Sequence, residues 1–327
     1  AVVAVVITAP RDLRALVVSL HVCALPMAAF ALYSYVTGTY MVSYYVYERR
    51  VNATCSSPAV LADIITVIAV LGLQQLLRAR RWYERVLLCG ALALEITVIV
   101  LTGCRLNLVL LTLFVMLGGV AWLMWAVHTR PRLAFKALCV ATVAAMALGG
   151  VAAWHWPRVQ QLPVVRRLQE WKIAVRTEQY RGLLFPGRID HWECALRMAR
   201  AAPLWGMGAG QFEANYLQCR TGKDMFDYAR AHNAYLRTAA EGGLLTLAAL
   251  LAALGWAGTR MVRFWNPAVR AAAPEWAWYG RAFSLGLLMV AASALSSDVA
   301  VENVEMVVFW ALLAGVVRAC DAGCSRA

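Results

Sequence analysis

The sequence predicts an all-α polytopic membrane protein, and three observations carry that expectation. Of the 327 residues, 62% are hydrophobic and 15% charged, whereas soluble domains carry roughly a quarter charged residues. The mean hydropathy is +0.62. The apolar residues gather in runs near the length that crosses a bilayer as a helix, about 20 residues. Nothing alternates apolar and polar as a transmembrane strand does. The net charge of +13 would suggest nucleic acid in a soluble protein. Here the arginines sort to particular loops, and nucleic acid is not an expected partner.

Residues 1–9 are apolar but too short to span and carry no basic leader region. They read as the end of a helix that starts upstream. The first full span covers residues 13–33. A polar, Tyr-rich loop at 34–57 suits a membrane-interface belt. Ser57 then precedes Pro58, an N-cap followed by proline at the first helical position, and the second span runs from there to residue 77. The third covers 86–102. Gly103 makes a tight turn, and Arg105 opens a fourth span to residue 127. A fifth ends near residue 153. The long polar section 154–241 follows. Three more spans cover 242–258, 282–295 and 304–317, with Asp298 and Glu302 in a short acidic loop. The expected organisation is N-terminal membrane helices over 1–153, an outer catalytic region over 154–241 and C-terminal membrane helices over 242–327.

The basic residues sort by side. One set of loops holds Arg11, Arg14, Arg78, Arg80, Arg81, Arg85, Arg130, Arg132, Lys136, Arg260, Arg263, Arg270, Arg281, Arg318 and Arg326. The short loops of the other set hold only Arg49, Arg50 and Arg105. Positively charged short loops stay in the cytoplasm, so the first set is cytoplasmic. Section 154–241 then faces outward. It carries thirteen Lys/Arg against eight Asp/Glu, which suggests an anionic partner. Lipid phosphates are the anions at hand, and membrane lipids are expected contacts. Within it Val164, Leu168, Trp171 and Val175 recur at helical spacing, with Arg166, Arg167, Lys172 and Arg176 on other faces. This pattern fits an amphipathic helix on the bilayer or a surface helix on the bundle.

Several residues in and around this section can carry chemistry. Arg105 either grips a phosphate with its fork of N–H groups or anchors to headgroups. Arg188 opens a helix over residues 189–202, where free backbone N–H groups favour an anion. His232 is either a general base near neutral pH or a polar interface residue. Asp190, His191 and Glu193 are metal-ligating types, but positions i, i+1 and i+3 share no helix face, and metal binding is not expected. Gly206, Gly208 and Gly210 lack a preceding strand, so they make a tight turn against the membrane helices rather than a dinucleotide loop. Inside the spans, Glu95 reads as a hydrogen-bonded packing residue, and Asp63 lines an outer vestibule. Cys23, Cys89 and Cys139 read as packing residues. Cys194 and Cys219 lie in the outer section, where a disulfide is open to them.

Read together, these motifs resemble the O-antigen ligase and polymerase superfamily of bacterial cell envelopes. The resemblance rests on Arg188 with Trp192 and the apolar helix to Met198, then Pro203, Gly206, Gly208 and Phe212. It continues through His232, Asn233, Tyr235 and Leu236 to Glu241, Gly242, Gly243 and Leu244. The turn at 102–105 is similar to the family's arginine turn, with Cys104 where Ser is common. The likeness covers roughly residues 102–250 in detail and the remainder by topology.

The resemblance implies a glycosyltransferase with a helical GT-C-type bundle and a long helical periplasmic region, working without metal or other cofactor at the bacterial inner membrane. The implied donor is a glycan on undecaprenyl diphosphate, and the implied acceptor for a ligase is lipid A–core. His232, Arg188 and Arg105 become the catalytic candidates. Arg105, Arg188, Asn233, Trp192, Tyr235 and His191 become the substrate-binding ones. A polymerase, with a second lipid-linked glycan as acceptor, and a protein O-oligosaccharyltransferase share these motifs. A lipid or glycan transporter is the alternative of another class. It needs polar residues along a path to the cytoplasm, for which Asp63, Glu95 and Glu305 are the candidates.

Overall fold

In the computed structural model the described residues are 9–39, 50–55, 57–130, 155–163, 165–166, 188–219, 230–295 and 303–324, with single positions at 139, 146, 169 and 173. They form helices α1 (Pro10–Thr37), α2 (Pro58–Arg78), α3 (Trp82–Thr102), α4 (Arg105–Thr129), α5 (Trp156–Val159) and α6 (Arg188–Ala201). After these come α7 (Gln211–Cys219), α8 (Ala234–Arg263), α9 (Pro267–Ala272), α10 (Pro274–Ser293) and α11 (Asn303–Cys324). No strand occurs among the described residues. The expected fifth span, most of the amphipathic stretch 164–176, the loop with Asp298 and Glu302, and the side chain of Glu305 lie outside them.

Among the described residues, four helices are long and apolar enough to cross a membrane: α1, α2, α3 and α8. The chain is a multi-pass membrane protein. Several helices run past the expected spans, and two starts differ most. The span expected at 282–295 belongs to a helix that already starts at Pro274, and the one expected at 242–258 belongs to a helix that begins at Ala234 and kinks at Gly243. In both cases polar residues extend the helix beyond its apolar run, which is all that a hydropathy pattern can delimit.

Helix α2 is the central one. It is apolar all round, and residues 61–72 are buried throughout, as expected of a helix with no solvent face. Ser57 caps it as the sequence predicts, accepting from the Val60 N–H at 3.3 Å. α1, α3, α4, α10 and α11 pack about it. α4 and the membrane part of α8 are peripheral. Leu113, Met116, Leu117, Leu244, Leu245 and Trp256 all point away from the protein, an apolar surface that calls for lipid. Cys23, Cys89 and Cys139 do not pack inside the protein as expected; all three are exposed. An apolar run fixes that a residue lies in the membrane but not whether lipid or protein faces it.

One end of the bundle is tied by charge: Arg14 to Glu84 at 3.1 Å, Arg78 to Glu275 at 2.7 Å and Arg260 to Asp321 at 3.0 Å. Arg260 also lies over the Trp256 ring and Arg281 over Trp265 and Trp278. These are the arginines that the sequence assigned to one side. Following the helices through, residues 50–58, 102–105, 234 and 293 lie at the opposite end.

Inside the bundle Glu95 is fully buried and bonded to His21 Nδ1 at 2.7 Å, linking α3 to α1. This is the hydrogen-bonded packing role expected of Glu95, with a partner the sequence did not reveal. Gly72 of α2 makes room for the imidazole, since a Cβ there would come within 2.5 Å of His21 Cε1. Loss of a buried partner leaves the other group unsatisfied, at a cost of about 1–3 kcal/mol. Glu95→Ala should therefore lower the thermal unfolding midpoint in detergent, and Glu95→Gln, which keeps a hydrogen-bonding group, should lower it less. Equal midpoints for wild type and Glu95→Ala would show that the pair adds nothing.

Candidate functional site

The site is built on a break in α8. Gly243 has φ 72° and ψ −179°, a combination open essentially to glycine alone. The break leaves helix carbonyls without their usual donors. The loop that follows α6 supplies them. Met207 N donates to Ala240 O at 2.9 Å and Gly208 N to Glu241 O at 2.9 Å, while Leu244 N turns outward to Pro203 O at 2.7 Å. Two glycines permit the approach. A Cβ on Gly206 would lie 2.3 Å from Glu241 O, and one on Gly243 would lie 2.2 Å from Leu204 O. The glycine-rich run thus packs against a membrane helix, as the sequence predicts, through main chain alone.

Glu241 fastens the third piece. Its carboxylate accepts from Phe212 N at 3.2 Å, in the first turn of α7, and from Arg237 Nε at 3.3 Å. A carboxylate suits a helix N-terminus, where N–H groups are free. Cys194, Ala195, Met198, Phe212, Tyr216, Ala231 and Ala240 fill the space between α6, α7 and α8 as a small core separate from the bundle's.

The start of α8 is anchored on the last turn of α10. Ala234 N donates to Ala294 O at 2.9 Å, Asn233 Nδ2 to Leu295 O at 3.1 Å, and the Tyr235 hydroxyl to Ala291 O at 2.8 Å. Asn233 Oδ1 meanwhile caps α8 by accepting from Leu236 N at 3.0 Å. Asn233 and Tyr235 thus dock the loop, and the residue just before them is His232. Its φ is +50°, a left-handed conformation that few non-glycine residues adopt and in which histidine is enriched.

His232 faces α6. Its ring stacks on that of His191, with centroids 5.7 Å apart and planes 28° apart. His191 is buried and meets Tyr216 edge-on at 5.1 Å. Arg188 lies one turn earlier on α6, and Trp192 is half-buried next to His191. Burial, then the charge of Arg188, then His191 and Arg230, depress the His232 pKa from 6.5 to about 3. The ring is neutral and basic in type, set among cations.

Arg105 belongs to a second cluster at the same end of the bundle. Gly103 turns with φ 65°. Arg50 Nε donates to Thr102 O at 2.7 Å, and Pro163 closes over the turn, 3.1 Å from where a Gly103 Cβ would be. One turn inward, Asn107 Nδ2 donates to Asp63 Oδ1 at 2.7 Å, and the Ser293 hydroxyl donates to the same oxygen. Asp63 is buried and lines a small void between α2, α4 and α10, together with Thr66, Asn107 and Ser293. It also joins the Arg105 helix to the α10 terminus on which the His232 loop is docked. The structure therefore brings Arg188, His191 and His232 together directly, and Arg105 stands with Arg50 across the α10 anchor.

Sequence reasoning missed Arg50, Arg230 and the Arg237–Glu241 clasp: the arginines were counted only as charges, and Glu241 was read only as part of a motif. The available signal was adjacency: Arg230 precedes His232 by two residues, and Glu241 immediately precedes a glycine pair.

Two outcomes follow. In a histidine NMR titration of the protein without an anionic ligand, His232 stays neutral well below pH 6.5, and Arg188→Ala moves its midpoint upward. A midpoint near 6.5 in the wild type would contradict the geometry. Because the unfolded chain protonates near 6.5 and folded His232 only near 3, acid weakens the fold across that window as pH falls. Separately, Gly206→Ala should detach the α6–α7 cap, read as faster proteolysis of residues 188–219 in a protein that still inserts in the membrane.

Residues 88–251, just over half the chain, match the family model described as O-antigen ligase. The match runs from α3 through the Arg105 turn and the His232 loop to beyond the Gly243 kink. The chain matches no curated protein.

Proposed function

This chain belongs to the O-antigen ligase family, whose members are glycosyltransferase-like enzymes acting on lipid-linked glycans, and on that premise we propose that it transfers a polysaccharide from undecaprenyl diphosphate to lipid A–core. The observation that supports this reading most is the neutral imidazole of His232 stacked on His191 beside Arg188. The positive-inside rule, applied to the basic end of the bundle, supports a site at the periplasmic face of the inner membrane. Residues 154–241 form the catalytic region, between membrane helices over 1–153 and 242–327.

Arg188 and Arg105 hold the donor diphosphate and stabilise the charge that builds as it leaves. His232 takes the proton from the acceptor hydroxyl. The acceptor oxygen bonds to the anomeric carbon as the bond from that carbon to the phosphate oxygen breaks, which inverts the centre. His191 and Trp192 line the donor side, while Asn233 and Tyr235 hold the loop that presents His232. Diphosphate is a good leaving group, so two arginines serve in place of a metal.

The depressed pKa of His232 fits this order of events. Burial first, and then the charge of Arg188, make the imidazole a weak base. A diphosphate on Arg188 cancels the second of these causes and adds negative charge nearby, so the base strengthens when the donor is in place.

The test uses purified protein in detergent with undecaprenyl-diphosphate glycan, rough lipopolysaccharide and EDTA. Wild type should give a mobility ladder on the lipopolysaccharide. His232→Ala and Arg188→Ala should each lose about a hundredfold or more of the rate while eluting as folded protein. Near-normal transfer by either variant would sink the assignment. Longer glycan on the donor lipid itself would make the enzyme a polymerase.

A further inference from the structure

Cys194 lies on α6 and Cys219 ends α7, 25 residues apart; Cys194 belongs to the small core of the cap, and Cys219 packs against it. The Cys219 sulfur reaches the main chain of its partner: its S–H is aimed at Cys194 O at 3.4 Å. A second grip holds the same residue, since Arg197 Nη1, one turn along α6, donates to Cys219 O at 2.9 Å. Cys219 is thus clamped at its thiol and at its carbonyl by one face of α6. Cys194 is fully buried, and Cys219 is half-buried. Both are thiols in this structure.

We propose that Cys194 and Cys219 form a disulfide that straps α6, the helix carrying Arg188 and His191, to α7. The geometry does not depend on the reaction assigned above. The oxidising compartment does rest on that reading, through the outer placement of residues 154–241. Secreted and periplasmic segments retain disulfides, whereas cytosolic ones are kept reduced. The bond forms by exchange with a disulfide oxidant of that compartment. The two thiols become one S–S bond, and their two protons and two electrons leave with the oxidant as its dithiol. Burial and the neighbouring Cys219 hold the Cys194 thiol well above the usual thiol range, so the exchange belongs to folding, before the cap closes. Closing this loop removes conformations from the unfolded cap and favours the folded one.

Trypsin separates the pair cleanly. Cys194 falls in the peptide 189–197 and Cys219 in 201–220. Membranes holding the full chain are alkylated at once, denatured and digested without reductant. The expected species joins the two peptides and lacks two hydrogens. Both peptides recovered alkylated would overturn the native bond. A parallel sample, purified in detergent and treated with oxidised glutathione, separates the reasons. Linkage there but not in membranes overturns the bond through its compartment, and with it the outer placement. No linkage in either overturns the geometry and leaves the placement standing. Cys219→Ser and reductant-treated wild type should both lose protease resistance after Arg197 and Arg200 severalfold. If both resist as well as the oxidised wild type, the strap is absent.

Discussion

The rest of the site depends on one main-chain junction, where the broken α8 meets the loop that leaves α6. The kink at Gly243 leaves polar backbone groups without helical partners in a buried place, and such groups must be paired elsewhere. The loop at 203–208 supplies them with its own amides and carbonyl. No side chain is needed for the contact, and none is tolerated at Gly206 or Gly243. One helix therefore serves two purposes. Its long apolar part crosses the membrane, and its first two turns hold both the cap and the histidine loop. Because the cap is fastened to the same helix that begins beside His232, Arg188 and His191 are held in register with that residue.

Around that junction several arginines gather. Arg188 and Arg230 act on His232, and Arg50 holds the turn that precedes Arg105. Two of the acids nearby have structural partners: Glu241 is engaged by Phe212 N and Arg237, and Asp63 by Asn107 and Ser293. A multiply charged anion is the natural complement of such a surface. The neutral imidazole of His232, stacked on that of His191, stands among these charges.

Much of this was legible in the chain itself. The span that follows Pro58, the Ser57 cap, the Gly103 turn before Arg105 and the turn at Gly206 against a membrane helix all have strong local causes, and the structure places them as read. What was not legible depended on distant partners. His21 and Glu95 are 74 residues apart, and no local pattern joins a lone histidine in one span to a lone acid in another. Asn233 and Tyr235 look like site residues in sequence because they flank His232. Their hydrogen bonds to the end of α10 appear only once that helix is in place. The outward-facing cysteines make the same point, since hydropathy measures depth in the membrane and not direction.

The contact between Gly72 and the His21 ring links two positions that the chain separates widely. With a Cβ at 72 only 2.5 Å from His21 Cε1 and 2.7 Å from Nε2, neither residue can drift on its own. A relative that gains a side chain at the equivalent of 72 must give up the imidazole at 21, and with it the partner of the acid at 95. Variation in this bundle should therefore come in sets of three. The co-occurrence of Gly, His and Glu across divergent sequences would mark those that share this helix arrangement, independently of anything at the catalytic end.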